Sequence, residues 1–288
     1  MPEVVAVIGV GRIGLPICGH LARAGHRVLA VDVVPERRRL AARVGAVDEP
    51  SVVDAVDQAD VVLTVLPGSP ELRALMLEDN GGLLGRLRPG TTWIDLTSAA
   101  PELGKQLAAA ALKVGVHALE APIGGGVAAA EQARLTFFVG GDLQVLAGMR
   151  ALLGVLARPD RILHQGPAGS GYLTKLLVNT LWFGQALATA EVLLLGQAAG
   201  LDLARLREVL SSGPAASEFI ATVVPSLFEG DYLTTFGLDR IVEELTSVQD
   251  SARAHGVPHE LTRLVTDVHA RALDRFGPVD GELMGMAY

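Results

Sequence analysis

Between a short β-branched run and a helical pattern stands Gly9-Val10-Gly11-Arg12-Ile13-Gly14, and this segment limits the fold most sharply. In a chain with 33 glycines the motif alone says little, so its flanks decide. Residues 3–8, Glu-Val-Val-Ala-Val-Ile, are apolar and β-branched and predict a buried parallel strand. Helical periodicity then runs from 12 to 24, with Gly25 as its C-cap. A second strand is expected from Arg27 to Val31, and it ends at an acid, Asp32, 18 positions after Gly14. A strand, glycine turn, helix, strand and acid in this register read as a dinucleotide-binding βαβ unit. Gly9 permits the tight turn, Gly11 lets the backbone approach a pyrophosphate, and Gly14 lets the helix pack on the strand. Arg12 and Ile13 complete the turn, and the free N–H groups of the helix start attract phosphate. Asp32 should accept bonds from the adenosine ribose hydroxyls and repel a 2′-phosphate, favouring NAD, with NADP as the alternative. Arg37 and Arg38 lie on the next helix and are expected to stay solvated.

The remaining pattern extends that unit. Pro35 opens a helix, and strands are expected at 59–65, 91–95, 116–119, 135–139 and 161–163, with a helix over 100–113. Alternating strands and helices with short loops predict an α/β fold with a parallel, doubly wound sheet. After Gly171 the strand pattern stops. Residues 172–199 read as one helix of roughly 28 residues, ~42 Å long. Helices follow at about 202–211, 215–228, 238–255 and 259–275, punctuated by Gly213-Pro214, Gly230-Asp231 and Gly256-Val257-Pro258. The expected organisation is a Rossmann-type domain over 1–165 and an all-α domain over 166–288, joined by the long interdomain helix.

Composition excludes some partners. The net charge is −8 and no basic block exists, which argues against nucleic acid. The lone Cys18 rules out an internal disulfide and suits a reducing compartment. The N-terminus lacks a charged signal region, so a cytoplasmic location is expected. The apolar stretch from Leu176 to Gly200 invites comparison with a membrane span. However, Asn179, Gln185, Glu191 and Gln197 interrupt it, and a buried helix is the expected reading, with no membrane partner.

Ligands of such sheets sit beyond the carboxyl ends of the strands. That rule places Leu66 and Pro67, Thr97 and Ser98, and the loop Glu120-Ala-Pro-Ile-Gly124-Gly125-Gly126 around the cleft. The three glycines can present bare N–H groups to a substrate carboxylate, or serve only the turn. Only three of 24 basic residues are lysines, and one of them, Lys175, lies in an apolar helical stretch. A partly buried lysine can release its proton where an arginine cannot, so Lys175 is the candidate proton donor or acceptor. The alternative is a snorkelling surface lysine. Asn179, four residues on, shares its helix face and can orient the amine or hold a substrate oxygen; an interhelical polar contact is the other reading. Gly169 and Gly171 leave room for substrate or nicotinamide at the helix start.

These segments resemble the β-hydroxyacid dehydrogenases, the 3-hydroxyisobutyrate dehydrogenase group, nearly end to end. The resemblance is carried by Gly9 to Asp32, Asp32-Val-Val-Pro35, Thr64-Val-Leu-Pro67, Ile94-Asp-Leu-Thr-Ser98 and Gly169-Ser-Gly171 with Lys175 and Asn179. It implies hydride transfer between NAD and a small β-hydroxy acid or its semialdehyde, with Lys175 as acid/base and Ser98 on the nicotinamide side. It also implies a small-molecule partner and a homodimer. Two positions depart from the family pattern. Gly124 stands where the family has a serine for the substrate carboxylate, and Glu243 stands where it has a cofactor-side lysine. A carboxylate there would weaken binding of anionic groups. Imine reductases, which resemble the chain less at the catalytic helix, and a non-catalytic NAD-binding sensor are the alternatives. A decarboxylating sugar-acid dehydrogenase fits poorly, since basic residues for a phosphate ester are lacking. No metal is expected: His255 and His259 are separated by Gly256 and Pro258, which break the helix. His164 is expected to be structural. Trp182, Phe183 and the leucines at 193–195 are expected in the core or a dimer interface.

Overall fold

The computed structural model describes residues 3–78, 82–231 and 236–281. The chain divides into two compact units, Met1–Lys175 and Leu176–Tyr288. The division falls inside the long helix Ser170–Ala198.

The first unit is built on one sheet of β1 (Val4–Ile8), β2 (Arg27–Val31), β3 (Val47–Asp48), β4 (Val61–Thr64), β5 (Thr92–Asp95), β6 (His117–Glu120), β7 (Ile123–Gly124), β8 (Thr136–Gly141) and β9 (Ile162–Gly166). Its helices are α1 (Gly14–Arg23), α2 (Pro35–Arg43), α3 (Val52–Gln58), α4 (Ser69–Arg73), α5 (Pro101–Lys113), α6 (Gly126–Glu131), α7 (Leu143–Leu153) and the opening of α8 (Ser170–Ala198). The strand order is β3-β2-β1-β4-β5-β6-β8-β7, with β9 beside β8. Pairing is parallel from β3 through β6. The order reverses between β1 and β4, and such a switch point opens a crevice at the carboxyl ends of those strands.

The apolar strands are explained by burial on both faces. Alternate residues of a strand point to opposite sides. Val5 and Val7 therefore join Ile17 and Leu21 of α1 in one core, while Ala6 and Ile8 join Val62, Leu103 and Leu107 in the other. Buried polar residues gather at the strand ends that close on the crevice, where Thr64, Asp95 and Glu120 are all buried.

Beyond β6 the expected all-parallel arrangement fails. Strands β6 and β7 both run antiparallel to β8, and the predicted open loop at 120–126 contains β7. A parallel return needs a crossover long enough to carry the chain back along the sheet. The six residues of α6 span only ~9 Å, so β8 has to run backwards.

The second unit holds the rest of α8 with α9 (Leu203–Ser212), α10 (Glu218–Thr222), α11 (Val224–Phe228), α12 (Leu238–Ala254) and α13 (Glu260–Phe276). Phe183 and Leu187 of α8 pack with Leu238, Ile241 and Leu245 of α12 and Val265 and Val268 of α13. Ala186 and Leu193 pack instead with Phe219, Ile220 and Val224. The single helix expected over 215–228 is two short ones. Pro225, in the first turn of α11, has no N–H to continue the ladder of α10. By length and composition α8 is long and apolar enough to cross a membrane, though 39% of its most apolar window is buried within the structure.

Candidate active site

The glycine turn separates two demands. Gly9 has φ 95°, and a Cβ on it would lie 2.3 Å from the Val65 carbonyl oxygen. A Cβ on Gly14 would lie 2.0 Å from the Gly9 carbonyl oxygen. The chain's own packing therefore requires both glycines. Gly11 differs: its φ is not positive, and a Cβ there would meet no atom within 4 Å. Nothing in the described residues needs a glycine at that point. The open space beside it is what a close approach by a dinucleotide backbone requires. Ile13 is the N-cap of α1, no side chain caps the helix, and its first turn carries no acid, so no carboxylate there opposes an anion. Arg12 beside it is exposed.

Asp32 closes β2 with 8% of its surface exposed. Its Oδ2 accepts from the Val10 N–H at 2.9 Å and its Oδ1 from the Val34 N–H at 2.8 Å. One carboxylate thus braces the glycine turn and the chain leaving β2. The expectation of a solvated position holds for Arg37, which is exposed, and needs correction for Arg38. Arg38 donates to the Asp32 carbonyl oxygen at 2.7 Å and to Asp48 at 2.8 Å, with its side chain 13% exposed. Arg37 lies 3.6 Å from Asp32 Oδ2 and is half exposed. Arg38 is recruited because the end of β2 presents a carbonyl, and the neighbouring β3 the Asp48 carboxylate, within reach of one guanidinium fork. The residues present fit a nicotinamide dinucleotide, with an open glycine cradle, an uncapped helix start and an acid at the second strand's end.

Farther along the crevice edge, the Leu66 N–H donates to Thr97 Oγ1 at 3.1 Å, so the ends of β4 and β5 are tied together. Pro67 is exposed and Ser98 half-buried beside them, while Thr97 is buried. Thr97 donates in turn to Asp95 Oδ1 at 2.8 Å, and Thr64 donates to the same oxygen. Thr97, expected to face substrate, thus spends its hydroxyl inside the protein.

Behind this edge lies a group of buried acids. Tyr172 Oη donates to Asp95 Oδ2 at 2.6 Å. Glu120 Oε1 accepts from the N–H groups of Gly171 at 2.7 Å and Tyr172 at 3.4 Å. Burial pushes the Asp95 carboxyl up to about 6, against the hydrogen bonds from Thr64, Tyr172 and Thr97 that favour its charge. Burial likewise pushes Glu120 up to about 7, with the neighbouring Asp95 charge adding to it. Tyr172 is held well above its ordinary value by burial and by the two carboxylates. Sequence reasoning passes over this group. The available signal is an acid closing each of two otherwise buried strands, Thr92–Asp95 and His117–Glu120.

Gly171, expected to leave room for a ligand, is buried, and a Cβ there would lie 2.2 Å from the Phe138 carbonyl oxygen. That glycine serves the close approach of α8 to β8, and its N–H belongs to Glu120. Gly125 and Gly126 are exposed at the start of α6. Gly124 is half-buried in β7, and a Cβ there would press to 3.3 Å from the Phe138 ring. The departure from serine at this position therefore accompanies a large neighbour, Phe138.

Lys175 is half-buried on α8, one turn beyond Gly171 and within the first unit. Asn179 belongs to the second unit, where its Nδ2 donates to Glu244 Oε2 of α12 at 2.6 Å. Glu243, the other departure, is paired with Arg240 at 2.9 Å. Arg240 also lies 3.5 Å from Asp239, so its one charge is shared between two carboxylates and screens Glu243 in part. His164 ties β9 to the end of β8, its Nε2 donating to the Gly141 carbonyl oxygen at 2.9 Å. Among the described residues no group of three or more His, Cys, Asp or Glu is arranged to hold a metal.

Comparison with known proteins identifies the family. Residues 4–166 match the family described as the NAD binding domain of 6-phosphogluconate dehydrogenase. Residues 169–283 match the NAD-binding family of NADP-dependent 3-hydroxyisobutyrate dehydrogenase. The chain is 34% identical over 257 residues to the NAD-dependent L-serine dehydrogenase of Pseudomonas aeruginosa, covering 87% of this chain and 85% of that one. It is 32% identical to the mitochondrial 3-hydroxyisobutyrate dehydrogenase of Rattus norvegicus, covering 88% of this chain and 77% of that one. Among solved structures, the Mycobacterium tuberculosis 3-hydroxyisobutyrate dehydrogenase with L-serine superposes with a TM-score of 0.88 at 28% identity, over 100% of this chain and 99% of that one. An imine reductase from Myxococcus stipitatus shares the fold, with a TM-score of 0.66 at 20% identity over 99% of this chain and 98% of that one. The chain is thus an oxidoreductase that uses a nicotinamide cofactor, and it belongs to the β-hydroxyacid dehydrogenase family.

Proposed function

We propose that this enzyme oxidises a small β-hydroxy acid, of the class of L-serine or 3-hydroxyisobutyrate, to its semialdehyde, with Lys175 moving the proton at the substrate oxygen. The observation that carries the reading is the half-buried Lys175, one helical turn from the Gly171 anchor of α8, in the same unit as the glycine cradle. When bound, the nicotinamide supplies or accepts the hydride. Gly9, Gly11, Arg12, Ile13 and Gly14 bind the pyrophosphate side, and Asp32 holds the adenosine ribose. Leu66, Pro67 and Ser98 border the nicotinamide end of the cleft. Lys175 takes the hydroxyl proton in oxidation and returns it in reduction, a task for which an amine shielded from water is suited. Asn179 keeps a polar partner one turn along the same helix. The exposed apolar side chains of α8, Leu177, Leu181 and Leu195, are the surface on which a second copy would dimerise.

Reduction of NAD+ in the presence of L-serine, 3-hydroxyisobutyrate or a cyclic imine's saturated amine tests the reading. Turnover with a hydroxy acid, its loss by about 10³-fold in Lys175→Ala, and retained NADH binding in that variant are expected. Turnover with the amine alone, or full activity in Lys175→Ala, refutes it.

A further inference from the structure

Glu120 is an unusual residue to bury. It is 5% exposed, yet among the described residues neither Lys nor Arg forms an ion pair with it. An apolar side chain would fill the site with no desolvation cost. The surroundings are shaped for the carboxylate. A Cβ on Gly140 would lie 2.1 Å from Glu120 Oε1, and one on Gly104 would lie 2.5 Å from Oε2 and 2.7 Å from the Tyr172 ring. Two glycines, on β8 and α5, thus clear the space in which Glu120 reaches the first turn of α8.

A second tie runs parallel to the first. From the Leu66 N–H the path goes through Thr97 Oγ1 to Asp95, and from Asp95 through the Tyr172 hydroxyl to the same helical turn. Each hydroxyl in the path has a consistent direction. Thr97 accepts from Leu66 and donates to Asp95, and Thr64 accepts from the Trp93 indole at 2.9 Å while donating to Asp95. Asp95 is therefore the common acceptor of three hydroxyl donors from β4, the β5 end and α8. The helix turn gripped by Glu120 and the crevice edge formed by Leu66 are thereby fastened to one buried centre.

We propose that Glu120 and Asp95 are positioning residues, which fix the first turn of α8 and so hold the Lys175 amine in register with the nucleotide-binding edge of the sheet. The proposal rests on the acid–base reading of Lys175. Lys175 follows Gly171 by one turn, and a helix transmits a displacement of its first turn along its axis. A misplacement of about 1 Å at a reacting group costs on the order of 10²-fold in rate. Neither acid needs to touch substrate or cofactor for this to hold. Because Glu120 grips through Oε1 alone, and Oε2 meets no hydrogen-bonding partner among the described residues, an amide can take its place with the nitrogen at the Oε2 position.

The test compares Glu120→Ala, Glu120→Gln and Tyr172→Phe with Lys175→Ala in the full-length enzyme. Steady-state kinetics use the hydroxy acid that the wild type turns over, NADH affinity is read by fluorescence, and folding is read by circular dichroism. Glu120→Ala and Tyr172→Phe are expected to lower kcat by about 10- to 100-fold. Their KM for the hydroxy acid and Kd for NADH should stay within about threefold, since no ligand contact is lost. Glu120→Gln should recover most of the rate. A purely structural role would instead lower stability and leave the kcat of folded enzyme unchanged. If Glu120→Ala does not fold, Tyr172→Phe decides alone. Wild-type kcat in folded Tyr172→Phe, with Lys175→Ala inactive, overturns this proposal and leaves the acid–base reading standing. Activity in Lys175→Ala overturns both.

Discussion

The buried Glu120 makes the stability of the first unit depend on pH in a direction opposite to that of a salt-bridged acid. Its carboxyl is raised from 4.5 to about 7 in the folded protein, because burial disfavours the charge more than the Gly169, Gly171 and Tyr172 amides favour it. The ionisable groups facing it are Asp95 of β5 and Tyr172 of α8. The folded state therefore holds a proton over a range where the unfolded chain has released it. Stability from this proton is fully present below 4.5 and is lost as pH rises through about 7. A tenfold difference in proton affinity between the folded and unfolded states is worth ~1.4 kcal/mol, so the loss between pH 5 and pH 8 comes to about 2.5 kcal/mol. Asp95, raised to about 6, acts in the same sense at lower pH and is common to both proteins compared. The perturbation is Glu120→Gln, which keeps the acceptor oxygen and cannot titrate. Urea unfolding of the cofactor-free protein would be followed by the fluorescence of Trp93, which lies in the same buried network, in a Trp182→Phe background. The wild type should lose about 2.5 kcal/mol relative to the glutamine variant over that pH range. Parallel stability curves for the two proteins would mean that Glu120 stays ionised in the fold, and the argument from burial would fail.

Two further outcomes bear on the nucleotide end. Gly14→Ala sets a Cβ 2.0 Å from the Gly9 carbonyl oxygen, so α1 must withdraw from the turn. NADH affinity in a fluorescence titration should fall at least about tenfold, and unchanged affinity would show that the turn does not carry the pyrophosphate. Asp32→Asn removes the charge that opposes a 2′-phosphate while Arg37 stays 3.6 Å away. The ratio of kcat/KM with NAD to that with NADP should fall by roughly tenfold or more, and an unaltered ratio would remove Asp32 as the discriminating group.

The sequence makes one half of this design legible and conceals the other. A glycine turn after a β-branched strand, with an acid at the next strand's end, is a local pattern. Its parts lie within about two dozen residues, and each has a conformational reason to be where it is. The buried acids follow no such rule. Glu120 meets Gly171 across 51 positions, and Asp95 meets Tyr172 across 77. In the sequence, each acid looks like the polar end of a strand about to enter a loop, a place where charge is ordinarily solvated. The glycines mislead in the same way. Gly171 reads as space for a ligand, while in three dimensions that space is taken by the Phe138 carbonyl.

The same distinction explains why Gly124 and Glu243 look like losses of function in the sequence. Judged position by position, one lacks a serine and the other carries the wrong charge. In the fold each has a neighbour that alters its meaning. Phe138 crowds the place where a larger side chain at 124 would stand, and Arg240, one turn earlier on α12, pairs with Glu243. Neither neighbour is conspicuous in the sequence, since Phe138 reads as one more core aromatic and Arg240 as one more surface charge. A substitution within a family motif is thus weighed correctly only together with the residue that packs on it. By that measure neither departure alters the nucleotide cradle or the lysine-bearing turn of α8, on which the proposed chemistry depends.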